Sequence, residues 1–195
     1  MSEPLPLSTL HNAILEFLRG REDVALFGAQ AVNAYVAEPR MTQDIDVLAL
    51  YADEIAESIK SHLASEFYIA VRIRKVKGGK GCRLYQIQKS GNRHLVDVRQ
   101  VAQLPQTQKI AEVQVITPSN LIASKVISYH RRRGKPKAGT DWRDLAMLLL
   151  EFPDLKSYEG PVDDRLQTSM VEPEVYTVWH ELVATTIETE DEDDW

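Results

Sequence analysis

A single cysteine, Cys82, in 195 residues excludes an internal disulfide and argues against a cysteine-built zinc site. Any cofactor must therefore be held by oxygen or nitrogen. No apolar run is long enough to span a bilayer, and the start, MSEPLPLSTL, has neither the basic region nor the apolar stretch of a signal peptide. The expectation is a cytoplasmic protein without membrane contact. The five histidines, His11, His62, His94, His130 and His180, show no paired metal-site spacing, and no Ser or Cys has an identifiable base beside it. A hydrolase triad is not supported. Positive charge is in deficit, with a formal net charge of −6. Yet Glu188, Glu190, Asp191, Glu192, Asp193 and Asp194 match that excess, which leaves a neutral body and an acidic tail over 188–195.

The apolar content, 44%, is ample for one core, with room for a small helical appendage. Ser8 as a cap, then Leu10, Ile14, Leu15 and Leu18, predicts a first helix that stops at Gly20. Val24 to Phe27 and Ile45 to Leu50 read as buried strands, and the residues between, Ala29 to Ala37, are good helix formers. Ile55, Ile59 and Leu63 mark a helix over Ala52 to Glu66. Strands are expected over Phe67 to Lys75 and Arg83 to Lys89, joined by the hairpin loop Lys77 to Gly81, then over His94 to Arg99 and Glu112 to Ile116. In the first of these, alternation predicts one solvated face. Pro118 starts a helix running to Arg133, Gly134 to Gly139 is a loop, and Asp141 to Phe152 is the next helix, ended by Pro153. Beyond Gly160 the pattern is weakly helical. The reading is α/β (α+β): a mixed sheet with flanking helices over 1–117, a small helical part over 118–187, and the tail.

The chemistry concentrates in FGAQAVNAYVAEPRMTQDIDVL, from Phe27 to Leu48. Side chains two apart on a strand share a face, which predicts the carboxylates of Asp44 and Asp46 side by side. Two anions that close call for a cation, and oxygen ligation favours Mg²⁺ or Mn²⁺. Gly28 opens a helix whose free N–H groups, with that of Ala29, can receive a phosphate. Metal and phosphate together suggest nucleotide chemistry. The plainer alternative makes Asp44 a turn residue and Asp46 a strand-end charge. Asp97, between Val96 and Val98, is costly on a strand unless paired or metal-bound. It is either a third carboxylate or a surface acid paired with Arg99 or Arg83. The Lys77 to Lys80 loop lacks the Walker spacing and carries no phosphate reading.

The Gly-led turn, the helix, the Arg40-x-Thr42 step and the Asp44-x-Asp46 strand together resemble the polymerase-β-type nucleotidyltransferase superfamily, within it the small bacterial AbiEii-like toxins and their relatives. The likeness continues through Leu95-Val-Asp97-Val, Thr117-Pro-Ser-Asn-Leu-Ile-Ala-Ser-Lys125, and Asp141 with Asp144 before an apolar helix, and covers roughly Val24 to Phe152. It implies Mg²⁺-dependent transfer of an NMP group from an NTP, such as ATP, to a hydroxyl on RNA, protein or a small molecule. Tying of two metals about 3.5–4 Å apart is the usual device for such chemistry. By this resemblance Asp44, Asp46 and Asp97 hold metal, Asp97 serves as metal ligand or base, Gly28, Ala29, Arg40 and Thr42 belong to the nucleotide site, and Lys125 contacts the triphosphate. A snorkelling helix lysine is the plainer reading of Lys125. Asp141 and Asp144 orient Lys125 or Arg133, or Asp141 simply favours a helix N-terminus. Arg131, Arg132, Arg133, Lys135 and Lys137 are either a solvated loop or a grip on RNA, and an antitoxin is the further partner implied. The chain departs from the family's Gly-Gly or Gly-Ser in having Gly28-Ala29, with no hydroxyl. That departure favours a rival reading, a catalytically silent binding or antitoxin-like module. A small-molecule adenylyltransferase is the other rival, against which the Arg131 to Lys137 cations argue.

Overall fold

The computed structural model describes residues 5–188. The acidic tail beyond Glu188 lies outside them. The chain divides into two compact units: one ends at Thr117, and the other starts at Pro118 and takes in Tyr35–Ala37.

The first unit is built on a seven-stranded mixed sheet. In chain order it runs α1 (Leu7–Leu18), β1 (Val24–Phe27), α2 (Gly28–Asn33), β2 (Ile45–Ala49), α3 (Ala52–Phe67), β3 (Val71–Lys75), β4 (Gly81–Gln86), β5 (Arg93–Gln100), β6 (Thr107–Ile110) and β7 (Val113–Ile116). The strand order is β3-β4-β5-β2-β1-β7-β6. β2 runs parallel to β5 and β1 parallel to β7, while the other pairs are antiparallel. Apolar periodicity explains the packing: Leu10, Ile14 and Leu18 of α1 and Ile55, Ile59 and Leu63 of α3 are each essentially inaccessible. At roughly 1.5–3 kcal/mol for each fully buried large apolar side chain, these two stripes contribute substantially to the core of the first unit. Gly81 must be glycine, because its φ is +131° and a Cβ there would come 2.0 Å from the Val98 carbonyl oxygen across the β4–β5 ladder.

Several boundaries differ from expectation. α1 begins at Leu7 with Pro6 as its cap residue, so Ser8 is inside the first turn. α2 stops at Asn33 instead of reaching Ala37, because the Asn33 amide turns back to bracket Arg40, donating to its carbonyl at 2.8 Å and accepting from its N–H at 3.0 Å. Phe67 ends α3 and does not start a strand. Tyr68, at φ +54°, caps that helix through its N–H to the Ala64 carbonyl. β6 was not expected at all, since Thr107 to Ile110 has neither alternation nor an apolar run and is recruited by its antiparallel pairing with β7.

The second unit is helical: α4 (Pro118–Arg132), α5 (Lys137–Glu151), α6 (Pro161–Thr168) and α7 (Pro173–Ala184). Three of them open on proline, whose missing N–H costs nothing in a first turn. The Gly134 to Gly139 loop expected from glycine and proline content is shorter: Pro136 already has helical dihedrals, α5 begins at Lys137, and Gly139 lies inside it. α4 packs against α5, α6 and α7 around Leu121, Ile122, Leu145, Leu148, Leu166 and Trp179. Among the described residues no helix is long and apolar enough to cross a membrane.

Candidate active site

The centre of the first unit is laid out by strand register. β1, β2 and β5 lie side by side, and the pairing sets Phe27 opposite Asp46 and Asp46 opposite Asp97. The chain leaves β1 through Gly28, at φ +69°, directly into α2. A Cβ on Gly28 would sit 2.1 Å from Oδ2 and 2.9 Å from the Cβ of Asp46. Only glycine lets the turn approach that carboxylate, and left-handed backbone is costly for any residue with a Cβ. The first N–H groups of a helix have no intrahelical partner, so the start of α2, at Gly28 and Ala29, offers donors beside Asp46. Arg40 is held to α2 by the Asn33 bracket, and the Thr42 hydroxyl is 3.4 Å from the Gln30 side-chain oxygen on the same helix.

Asp44 does not lie within the strand: β2 starts at Ile45, and Asp44 occupies the bend before it. Its carboxylate turns to His94, with Nδ1 to Oδ2 at 3.0 Å. The other ring nitrogen, Nε2, is 3.1 Å from Oδ1 of Asp97. One imidazole therefore bridges two carboxylates, and all three residues present ligand atoms within 4.8 Å of one another. Hydrogen bonds to Asp44 and then Asp97 outweigh the cost of burial and push the His94 pKa up to about 10. The ring is a cation here, donating from both nitrogens. Asp97 also takes an ion pair from Arg83 Nε at 3.0 Å, the partner that its plain surface reading anticipated, and Tyr85 stacks on His94 with ring centroids 4.8 Å apart. On the α1 side His11 is buried, and desolvation pulls its pKa below the ordinary value against the opposing charge of Asp44.

The donor set within this cluster is thus mixed, two carboxylates with an imidazole, where oxygen alone was expected. It suits a divalent cation, since its positive charge could take the place of the imidazolium and neutral imidazole is itself a good ligand. His94 is absent from the sequence-based set for a physical reason. Residues three apart on a regular strand face opposite ways, but the register slips between Leu84 and Tyr85, so that Val96 pairs with Leu84 and His94 with Tyr85. That bulge turns His94 to the side of Asp97. A bulge inside Arg93 to Gln100 leaves no mark in the sequence.

The remaining predicted residues form a cluster of their own in the helical unit. Lys125 is buried on α4, and its Nζ donates to Asp144 Oδ2 at 2.5 Å and lies 3.8 Å from Asp141 Oδ1. Asp144 is fully buried, so the plain snorkelling reading of Lys125 does not hold. Asp141 is five residues into α5, past the first turn, which removes the helix-terminus reading. It accepts instead from Arg132, whose Nη1 reaches both carboxylate oxygens at 2.8 and 3.1 Å. Arg133 pairs with Glu181. Of the five cations, Arg131 and Arg132 belong to the last turn of α4 and Lys137 to the first of α5, and only Arg131, Lys135 and Lys137 have no ion-pair partner among the described residues.

Comparison with known proteins agrees with this geometry. Residues 13–168 match the family described as nucleotidyl transferase AbiEii toxin, type IV TA system. Among solved structures, a Megavirus polyadenylate synthase is similar at a TM-score of 0.61 and 12% identity over 75% of this chain, which spans 32% of that one. JHP933 from Helicobacter pylori is similar at a TM-score of 0.59 and 16% identity, over 90% of this chain and 88% of that one. A nucleotidyltransferase-like antigenic protein from Paracoccidioides brasiliensis is similar at a TM-score of 0.50 and 17% identity, over 91% and 95%. Comparison with curated proteins found no match. The structural likenesses show the nucleotidyltransferase fold, and the match over most of the sequence goes further: the chain belongs to the AbiEii nucleotidyltransferase family.

Proposed function

We propose that this protein transfers an NMP group from an NTP to a hydroxyl acceptor in a Mg²⁺- or Mn²⁺-dependent reaction, with RNA as the acceptor class. The observation that carries the reading is the registered pair Asp46 and Asp97 on adjacent parallel strands, with Gly28 shaped to admit Asp46 beside the start of α2. Asp44, Asp46 and Asp97 would hold the cation: Asp44 and Asp97 lie with His94 in one cluster of ligand atoms, and Asp46 stands opposite Asp97 on the adjoining strand. A cation there would neutralise the triphosphate and stabilise the charge that develops on the leaving pyrophosphate. Gly28 and Ala29 offer N–H groups to phosphate, while Arg40 and Thr42 brace the loop that delivers Asp44. The family likeness implies a phosphate contact for Lys125, whose buried ammonium is held here by Asp144 and lies near Asp141. Exposed Arg131, Lys135 and Lys137 support a polyanionic acceptor. The family description adds a toxin role with an antitoxin as partner.

Calorimetry of an NTP with Mg²⁺ tests the core of this reading. Asp46→Ala should abolish binding while circular dichroism shows the fold intact, and unchanged binding would remove Asp46 from the site. Incubation with each labelled NTP and total cellular RNA then reads transfer directly. Binding without any transfer would favour the silent-module reading, which the absent hydroxyl at Ala29 also favours.

A further inference from the structure

Strand register also sets two rows of side chains across the sheet face that carries Asp97. In the first, Arg74 on β3 is opposite Arg83 on β4, Arg83 is opposite Asp97 on β5, and Asp97 is opposite Asp46 on β2. In the second, Arg72 is opposite Tyr85 and Tyr85 is opposite His94. Each row has a group of the candidate centre at one end and an arginine at the other. Arg72, Arg74, Arg83 and Arg99 are exposed, whereas Val71, Cys82, Leu84, Val96 and Val98 are buried behind them, so the arginines share the solvated face. Arg99 lies over the Phe27 ring at 4.8 Å.

The arrangement is electrostatically costly as it stands. Like charges directly opposite on a sheet destabilise it, and Arg74 faces Arg83. Neither Arg72 nor Arg74 has an ion-pair partner among the described residues, and the partner of Arg83 is Asp97 of the centre itself. An anion laid along the rows would relieve that repulsion. The planar guanidinium suits phosphate through paired N–H bonds, and an aromatic ring between arginines suits a base, which stacks without regard to its identity. One row of charge with one aromatic row fits a single strand and not a duplex.

We propose that this arginine–tyrosine face is the track for a single-stranded RNA acceptor, whose terminal hydroxyl it delivers to Asp97. The track rests on the nucleotidyl-transfer reading and specifies its acceptor surface. Phosphates lie along Arg74, Arg72 and Arg83, and Tyr85 receives a base.

Fluorescence anisotropy of a labelled twelve-nucleotide RNA with a free 3′ hydroxyl, measured across a salt series, tests it. For a single strand each lost phosphate contact lowers the slope of log affinity against log salt by about 0.7. Arg72→Ala with Arg74→Ala should therefore weaken binding and lower the slope by about 1.4. Arg72→Lys with Arg74→Lys should keep the slope and lose part of the affinity, because charge remains while the fork is gone. An unchanged slope in the alanine variant overturns the track, and a slope flattened instead by Arg131→Ala, Lys135→Ala and Lys137→Ala would place the RNA on the helical unit. Wild-type protein that binds NTP by calorimetry but no RNA also overturns the track, leaves nucleotidyl transfer standing and points to a protein acceptor. Wild-type protein that binds no NTP overturns both.

Discussion

His94 is the residue around which the candidate centre is balanced. Its two nitrogens reach Asp44 and Asp97 at 3.0 and 3.1 Å, and the pair of acceptors raises its pKa to about 10 from an ordinary 6.5. A folded-state pKa above the unfolded one stabilises the protein fully below the unfolded value, and the contribution fades as pH rises through the folded value. Chemical denaturation without divalent cations should therefore show wild type most ahead of His94→Gln near pH 6. The lead should shrink as pH climbs toward about 10. A difference that stays constant with pH would mean that no charged imidazole bridges the carboxylates. Gly28 is the opposite kind of residue, important for the side chain it lacks. Its position was legible from the Gly-led turn, but the 2.1 Å approach that makes it necessary belongs to a strand eighteen residues later.

At the scale of elements, periodicity did most of the work where one face is buried and little where it is not. The i, i+4, i+8 stripe of Ile55, Ile59 and Leu63 marked α3 to within a residue, because burial of one face imposes that spacing. β6 escaped, because an edge strand paired on one side only needs no apolar pattern. α4 and α5 are joined by ionic as well as apolar contact: Lys125 of one meets Asp144 of the other, both buried. Removing one partner of such a pair strands a buried charge, at a cost of about 3–5 kcal/mol, whereas replacing both with apolar groups is often neutral. Thermal unfolding should show Lys125→Met strongly destabilised, and Lys125→Met with Asp144→Leu substantially recovered. Equal loss in both variants would show that packing, not charge, makes the contact. The sequence pattern offered Lys125 or Arg133 as partners of Asp141 and Asp144: Lys125 meets Asp144, and Arg132 in place of Arg133 takes Asp141.

For the whole molecule the relevant quantity is the distribution of charge. The net −6 lies in the segment from Glu188 to Asp194, and the neutral remainder still carries arginines concentrated on one sheet face and cations at the α4–α5 turn. A segment of that charge would compete with a polyanion for the same cations, and salt would screen the competition over about 10 Å at 0.1 M. Deleting residues 188–195 should raise RNA affinity at low salt and matter little at high salt, as read by the same anisotropy series. Equal affinity with and without the segment at low salt would show that it does not compete.

What the sequence determined by itself was local: the strand, Gly turn, helix and strand order around Phe27 to Leu48, the Arg40-x-Thr42 and Asp44-x-Asp46 spacing, and the acid at Asp97. Each depends on neighbours a few residues away, where propensity and side-chain direction act. The tertiary structure alone decided the relations across strands. Parallel pairing of β2 with β5 set Asp97 against Asp46, a bulge turned His94 between Asp44 and Asp97, and the β3–β4–β5 ladder lined up Arg74, Arg83 and Tyr85 beside them. Register arises from the burial of whole faces at once, so it is a property of the packed sheet and of no single segment.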